Sequence, residues 1–165
     1  MDLCQITILR TSYQRLRRAD DMNIVLDTNI LISAAWSPGR NASNILNAVF
    51  ARKFTACYDY RILEEYHRVL HYPKFKFYEW EINAILEPLI KNGISVIADT
   101  IPEVSFERDE TDRKFYEVAK YCNAILVTGN LAHYPSDSII MSPSDFCQCY
   151  PWNYQWIRMI QNTSG

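Results

Sequence analysis

The stretch NIVLDTNIL, residues 23–31, places an aspartate at the end of a short apolar run. The three apolar residues 24–26 precede Asp27, a pattern typical of a strand buried on both faces. In a parallel sheet ligands bind beyond the carboxyl ends of the strands, so we expect Asp27 at a functional edge. The alternative is an aspartate that only forms a turn or caps a helix through Thr28 and Asn29.

The rest of the chain alternates short apolar runs with longer helical patterns. The predicted strands are 23–27, 54–58, 94–98, 124–128 and 138–141. The predicted helices are 42–52, 60–71, 79–92, 111–122 and 143–149. Such alternation implies parallel strands joined by right-handed crossovers. We therefore predict an α/β fold, a three-layer α/β/α sandwich around a central, mainly parallel sheet of about five strands.

The totals indicate one ordinary globular domain. The chain has 165 residues, of which 48% are apolar and 22% charged, and a net charge of −2 argues against coating nucleic acid by bulk electrostatics. No apolar run approaches the roughly 20 residues of a membrane span. Residues 1–21 look foreign to the domain and are expected to be an N-terminal extension or a mis-assigned start. The domain itself is expected over 22–149, with a Trp-rich C-terminal tail over 150–165.

The cysteines bear on the compartment. There are five, an odd number, and none form a CxxC pair. This pattern favours a reducing compartment, the cytoplasm, and a chain with no disulfide framework.

A second carboxylate is placed by the helix predicted at 60–71. At about 100° per residue, Glu65 lies at the border of the apolar stripe, on the face of Ile62 and Val69, whereas Glu64 lies opposite it. A carboxylate at the edge of a buried face requires an arginine, a proton or a metal as partner. The alternative is a border glutamate that reaches water.

Two further acids lie at the start of the helix predicted at 111–122. Asp112 is in phase with the apolar Phe115, and Asp109 comes just before the helix. Either acid, or Thr111, has a simpler explanation in capping or in favouring the positive helix end.

Polar residues also follow the strand predicted at 124–128. Thr128 and Asn130 end that strand as Asp27 ends its own, so they are expected at the same edge, although Gly129-Asn130 also suits a plain turn. Carboxylates crowded in one cleft raise each other's pKa, and a divalent cation relieves the repulsion. Oxygen ligands select Mg²⁺ or Mn²⁺, which suggests phosphodiester hydrolysis.

Four blocks of this chain, in this order, resemble the PIN-domain family. They read DTNILISAAWSPGR at 27–40, RILEEYHRVLHYPKF at 61–75, RDETDRKFYEVA at 108–119 and ILVTGNLAHYP at 125–135, followed by SPSDF at 142–146. The match spans about residues 22–147. Within the family the chain is similar to the toxin components of bacterial toxin–antitoxin pairs.

The resemblance implies a metal-dependent endoribonuclease that cleaves single-stranded RNA. It carries the metal-ligand role to Asp27, Glu65 and Asp112, with Asp109 as a less secure neighbour. The positions of Asn29, Ser33 and Thr128 fall beside the site. The implied partners are a small antitoxin protein and a second copy of the chain in a homodimer.

One position departs from the family pattern. Many members have TGD where this chain has TGN, residues 128–130. Asn130 is expected to assist catalysis through its carbonyl, with altered metal affinity. The alternative is a weakened PIN module that binds RNA or protein without cleaving.

Basic residues near the predicted edge, Arg40, Arg113 and Lys114, are expected to contact phosphates. His67 and His71 have zinc-compatible spacing but no third ligand, and His133 suits a phosphate contact or a surface loop. The segment 71–80 combines aromatic and basic residues, a composition that suits binding of single-stranded RNA. The preferred interpretation is that its aromatic side chains pack the segment onto the core. A phosphatase with an aspartate nucleophile ranks last, because Asn29 occupies the position of its second aspartate.

Overall fold

The structure is a computed structural model and describes residues 22–106 and 109–151. The expected extension 1–21 and nearly all of the expected tail 150–165 lie outside these described residues.

The described residues form one five-stranded sheet. Its strands are β1 (Met22–Leu26), β2 (Phe54–Tyr58), β3 (Ile94–Ser95), β4 (Ile125–Val127) and β5 (Ile140–Met141). Their order across the sheet is β3-β2-β1-β4-β5, and each neighbouring pair is parallel. The predicted α/β class with a parallel sheet is therefore confirmed. The run predicted as a strand over 94–98 pairs over two residues only.

Six α-helices accompany the sheet in the described part of the chain. They are α1 (Thr28–Trp36), α2 (Asn41–Phe50), α3 (Tyr60–Leu70), α4 (Glu79–Asn92), α5 (Arg113–Tyr121) and α6 (Pro143–Cys149). Five match predicted helices to within a few residues, and α6 begins with the expected Ser142 cap and Pro143. Helix α1 was not predicted. Its own apolar side chains are distributed around its circumference, so it lacks the amphipathic period by which a surface helix is recognised.

The strand order creates a crevice beside the first strand. From β1 the chain adds β2 and β3 on one side, and later β4 and β5 on the other. At such a reversal the connections leave in opposite directions, so the carboxyl ends of β1 and β4 border an open edge. The amide of Asp27 continues the pairing by donating to the Val127 carbonyl at 3.0 Å. Asp27 and Thr128 are thereby brought side by side.

Polar contacts fix α3 beneath this edge. The buried Tyr66 hydroxyl donates to the Leu26 carbonyl at the end of β1. Arg61, at the start of α3, donates to Asp59 at 2.7 Å and to Glu117 of α5 at 2.7 Å. Both carboxylates are almost fully buried, so this bridge ties α3 to α5 from within the core.

Gly93 ends α4 where the chain passes closest to the sheet. Its backbone is extended, so the requirement is for space and not for a left-handed conformation. A Cβ atom would clash with the Leu89 carbonyl oxygen and would lie 2.7 Å from the Ala56 carbonyl oxygen. Both obstacles are backbone atoms, which cannot turn aside as a side chain can.

Gly93→Ala is therefore expected to destabilise the protein by about 2–3 kcal/mol through overpacking. The comparison variant is Gly39→Ala, since Gly39 has a positive φ of 78° but nothing within 4 Å of an added Cβ. That change should cost only about 1 kcal/mol of conformational strain. Urea unfolding of both variants measures the difference, and equal losses would show that Gly93 is not sterically required.

The helices bear on membrane insertion. The longest, α4, has 14 residues and carries Pro88. At about 1.5 Å per residue it measures roughly 21 Å, short of the roughly 30 Å hydrocarbon layer. Among the described residues no helix is both long and apolar enough to cross a membrane.

The cysteines differ in state. Cys57, Cys122 and Cys147 carry free thiols. Burial raises the pKa of the Cys57 thiol well above its usual value, so it stays protonated and unreactive. Cys149 is disulfide-bonded, whereas the sequence predicted no disulfide framework.

Candidate metal and catalytic site

Asp27 lies at the carboxyl end of β1 with only 4% of its surface exposed. Its Oδ2 atom accepts hydrogen bonds from the Thr128 hydroxyl at 2.7 Å and the Tyr134 hydroxyl at 2.9 Å. Its Oδ1 atom caps α1 by accepting from the Asn29 amide at 3.4 Å. The capping role that the sequence offered as an alternative is thus real, and it coexists with a place at the functional edge.

The electrostatics of Asp27 favour a cation. Burial raises the pKa of Asp27 above its usual value, although the hydroxyls of Thr128 and Tyr134 oppose the shift. The negative charge of Glu65 adds to the rise. The hydrogen-bond donors to its carboxylate named above are neutral groups, which leave its charge uncompensated. A positive charge bound here would relieve that cost.

The loop after β4 is locked to α1 by Asn29. The Gly129 amide donates to Asn29 Oδ1 at 2.9 Å, and Asn29 Nδ2 donates to the Thr128 hydroxyl at 3.4 Å. That hydroxyl also accepts from the Asn130 amide at 2.9 Å. Asn29 and fully buried Thr128 therefore hold the loop that carries Asn130, whose side chain is exposed.

Glu65 already has partners in this structure. On α3 its side chain is 13% exposed, in agreement with the predicted border position, whereas Glu64 is exposed. Its Oε1 atom accepts from the Thr28 hydroxyl at 2.7 Å, and its Oε2 atom lies 2.6 Å from Lys114 Nζ. Lys114 is thus paired with a carboxylate at the site, where the sequence predicted a phosphate contact.

Asp109 and Asp112 bracket a single 3-10 turn, Glu110–Asp112. Asp109 Oδ1 caps that turn through the Thr111 amide at 2.9 Å, as the capping alternative had it. Asp112 is buried, and its Oδ2 atom lies 2.9 Å from Nδ1 of His133. One ligand atom from each of Asp109, Asp112 and His133 lies within 4.8 Å of the others.

These acids differ in their titration. Burial raises the pKa of Asp112 to about 6, with the charges of Asp27 and Asp109 adding to the rise and His133 opposing it. The hydrogen bond from the Thr111 side chain lowers the pKa of Asp109. Since the charge of Asp27 affects Asp112 and that of Glu65 affects Asp27, the three predicted ligands share one electrostatic environment.

The remaining predicted site residues are either exposed or paired elsewhere. Ser33 and Arg40 are exposed, and Arg40 precedes α2 without a side-chain cap. Arg113 is committed elsewhere, since its guanidinium pairs with Glu110 and lies 4.8 Å from the Phe106 ring. Its predicted phosphate contact requires release from that acid.

Two residues of the site were missed. Thr28 and Tyr134 each donate a hydroxyl to a predicted ligand. Thr28 follows Asp27 directly and Tyr134 belongs to the quoted fourth block, but neither position reveals in sequence which carboxylate it will meet.

His67, His71 and the segment 71–80, the other candidates from the sequence, have ordinary structural contacts. The rings of His67 and His71 stack 6.2 Å apart, and His71 Nε2 lies 3.0 Å from Glu79. In segment 71–80, Phe75 packs edge-on against Trp36 at 5.0 Å. This packing favours the interpretation in which the segment clips onto the domain.

The donor set fits a divalent cation. Among the described residues, the carboxylates of Asp109 and Asp112 and the imidazole of His133 lie close enough together to share an ion, and carboxylate oxygens suit hard cations. Asp27 and Glu65 are not part of that close group, although the charge of Asp27 acts on Asp112 and that of Glu65 on Asp27. Glu65 is held by Lys114 here, so a cation would share or displace that ammonium. The buried charges of Asp27 and Asp112 are the features that a cation would satisfy.

Asp112→Asn is expected to stabilise the metal-free protein. The pKa of Asp112 is raised from 3.8 to about 6, so the folded protein binds this proton more tightly than the unfolded chain does. The stability gained from the protonated Asp112 is complete below pH 3.8 and is lost as the pH rises through about 6. The variant escapes that loss, so it should be more stable than wild type at pH 7 by about 1–2 kcal/mol and nearly equal at pH 4. Urea unfolding in EDTA at both pH values measures this.

The control for that experiment is Asp99→Asn, which removes an exposed carboxylate and should change stability at neither pH. A lower stability of Asp112→Asn at pH 7 would contradict the inferred cost of its charge. Greater stability together with lost cleavage would mark a group retained for chemistry.

Comparison with known proteins places this arrangement in a family. A family model described as PIN domain matches residues 23–132, which is two thirds of the chain. The chain is also 34% identical over 110 residues to an uncharacterized protein of Methanocaldococcus jannaschii, an alignment that covers 66% of this chain and 71% of the relative. The chain therefore belongs to the PIN-domain family, a family of nucleases.

Proposed function

We propose that this protein is a Mg²⁺- or Mn²⁺-dependent endoribonuclease that cleaves single-stranded RNA. The observation that carries the proposal is the pair of buried carboxylates, Asp27 and Asp112, at the open edge between β1 and β4. Burial and neighbouring negative charge raise the pKa of both, so the fold maintains charge at this edge at a cost. Such a cost is typical of functional sites.

The proposed ligands are Asp27, Glu65 and Asp112, with Asp109 adjoining. When bound, the cation supplies an activated water and stabilises charge on the scissile phosphate. Thr128 and Tyr134 hold Oδ2 of Asp27, which fixes the orientation of its carboxylate. Asn130 is placed to assist through a neutral amide.

Substrate contacts are proposed for the residues predicted from the sequence. Ser33 and Arg40 are exposed and free to meet RNA. Arg113 and Lys114 bring positive charge to the rim but are paired with Glu110 and Glu65. Asn29 and Thr128 act indirectly, by holding the loop that carries Asn130.

The biological setting is also a proposal. By the family resemblance the protein acts as the toxin of a toxin–antitoxin pair, forms a homodimer and is restrained by a small antitoxin. Its domain spans residues 22–149, flanked by an extension and a tail. A cytoplasmic location follows from the proposed substrate and not from the cysteines, since Cys149 is disulfide-bonded and such bonds are rare in reducing compartments.

A second candidate is a PIN module that binds RNA or protein without cleaving it. It is favoured by the exposed Asn130, which occupies the position of an aspartate in many family members, so the edge carries one negative charge fewer. Against it stand the intact acids Asp27, Glu65 and Asp112.

Cleavage of a mixed-sequence single-stranded RNA by the pure protein in Mn²⁺, Mg²⁺ or EDTA tests the proposal. We expect cleavage in a metal, none in EDTA, and little of the same sequence as a duplex. Folded protein, freed of any partner, that cleaves in neither metal but retains RNA in a filter-binding assay would replace the proposal with the binding module.

A further inference from the structure

We propose that His133 is a nitrogen ligand of the metal, so that the site combines oxygen and nitrogen donors and prefers Mn²⁺ to Mg²⁺. The inference rests on the proposed function only in taking the bound group to be a divalent cation. It adds a ligand that lies in the loop after β4, outside the acidic set.

The distances suit a shared ion. Nδ1 of His133 and Oδ2 of Asp112 are 2.9 Å apart, and with Asp109 all three ligand atoms lie within 4.8 Å. In octahedral geometry with bonds of roughly 2.1 Å, adjacent ligand atoms are separated by about 3.0 Å and opposite ones by about 4.2 Å. The 2.9 Å separation of His133 and Asp112 matches adjacent ligands, and the 4.8 Å limit on the whole cluster exceeds the opposite-ligand spacing by about 0.6 Å, so binding requires only a small inward movement of side chains.

The chain holds both halves of this cluster in place. The Asp112 amide donates to the Asp109 carbonyl at 3.2 Å, which closes the turn between the two acids. The His133 amide donates to the Asn130 carbonyl at 3.0 Å, which closes the short 3-10 helix Leu131–His133. The His133 side chain is 34% exposed, so an ion can reach its ring.

The chemistry of the donors gives the preference. Mg²⁺ favours oxygen ligands alone, whereas an imidazole nitrogen suits the transition metals better. Asn130 supplies a neutral amide at the edge, and His133, three residues later, supplies the stronger donor. Together they give the site one negative charge fewer and one nitrogen donor more.

The competing role for His133 is an outer one, in which Nδ1–H donates to Asp112 and only the carboxylate meets the metal. Loss of affinity does not separate the two roles, because removing an outer partner also costs 10–100-fold in metal affinity in typical cases. The two roles are separated by a spectroscopic signal that arises directly from the metal–nitrogen bond.

The experiment is pulsed electron paramagnetic resonance of the Mn²⁺-loaded protein, with bound Mn²⁺ first quantified by continuous-wave spectra. We expect ¹⁴N modulation in wild type, its loss in His133→Asn, and its retention in His67→Asn/His71→Asn, which keeps only His133 among the three histidines. The Mn²⁺ over Mg²⁺ affinity ratio should fall about tenfold in His133→Asn. Circular dichroism checks that each variant is folded.

Bound Mn²⁺ without ¹⁴N modulation in wild type would overturn the nitrogen ligand while leaving the nuclease proposal standing. Modulation that persists in His133→Asn would overturn it as well. Failure of folded wild type to bind Mn²⁺ would overturn both.

Discussion

Asp27→Asn is expected to reduce metal-dependent RNA cleavage by about 10³-fold or more while leaving the fold intact. The substitution keeps one oxygen, which can still accept from the Thr128 and Tyr134 hydroxyls, and loses only the longer 3.4 Å bond that caps α1. It also removes the negative charge. Charge stabilisation by a catalytic cation is worth several kcal/mol, and about 4 kcal/mol corresponds to roughly 10³-fold in rate. Initial rates in Mn²⁺ for matched amounts of wild type and variant measure the effect.

Two checks make that result specific. Asp99→Asn removes an exposed carboxylate and should cleave like wild type. The thermal midpoint of Asp27→Asn in EDTA should equal or exceed that of wild type, since burial makes the Asp27 charge costly. Equal cleavage rates for wild type and Asp27→Asn would remove Asp27 from the mechanism.

Arg61→Met is expected to cost about 3–5 kcal/mol of folding free energy, the largest stability effect in this set. Arg61 is the cation between Asp59 and Glu117, both almost fully buried and each 2.7 Å from the guanidinium. Its removal leaves two buried carboxylates without their positive partner. Because the Arg61 side chain is itself 28% exposed, water offsets part of the loss and the lower end of the range is expected.

The matched control is Arg68→Met on the same helix. Arg68 is 58% exposed and 4.0 Å from Glu65, so its loss should cost less than about 1 kcal/mol. The triple change Arg61→Met, Asp59→Asn, Glu117→Gln should recover much of the stability, since no unpaired charge then remains. Equal losses for Arg61→Met and Arg68→Met in urea unfolding would show that the buried bridge contributes no more than a surface pair.

Much of the fold was readable from the sequence because its strands are short apolar runs and most of its helices are amphipathic. The apolar stripe of α3 put Glu65 at a border, where it lies. Parallel strands share one carboxyl edge, so Asp27 and Thr128 were expected together and are joined by a 2.7 Å hydrogen bond. These conclusions needed only periodicity and one topological rule.

What escaped the sequence depends on contacts between distant segments. Helix α1 carries apolar residues around its circumference, so the stretch after Asp27 gave no helical period. The pairing of Lys114 with Glu65 joins α5 to α3, and nothing local distinguishes it from a lysine that faces solvent. The sequence predicted Lys114 near the edge of the sheet, but only packing decides which partner it contacts.

The order of strands in the sheet has a consequence for synthesis. Asp27 emerges from the ribosome long before its hydroxyl partners Thr128 and Tyr134, which follow 101 and 107 positions later. A growing chain that ends before β4 therefore holds its first acid without the groups that orient it. If the finished protein cleaves RNA as proposed, this order of synthesis leaves its site incomplete during most of translation. The growing chain then does not cleave its own messenger RNA or the RNA of the ribosome.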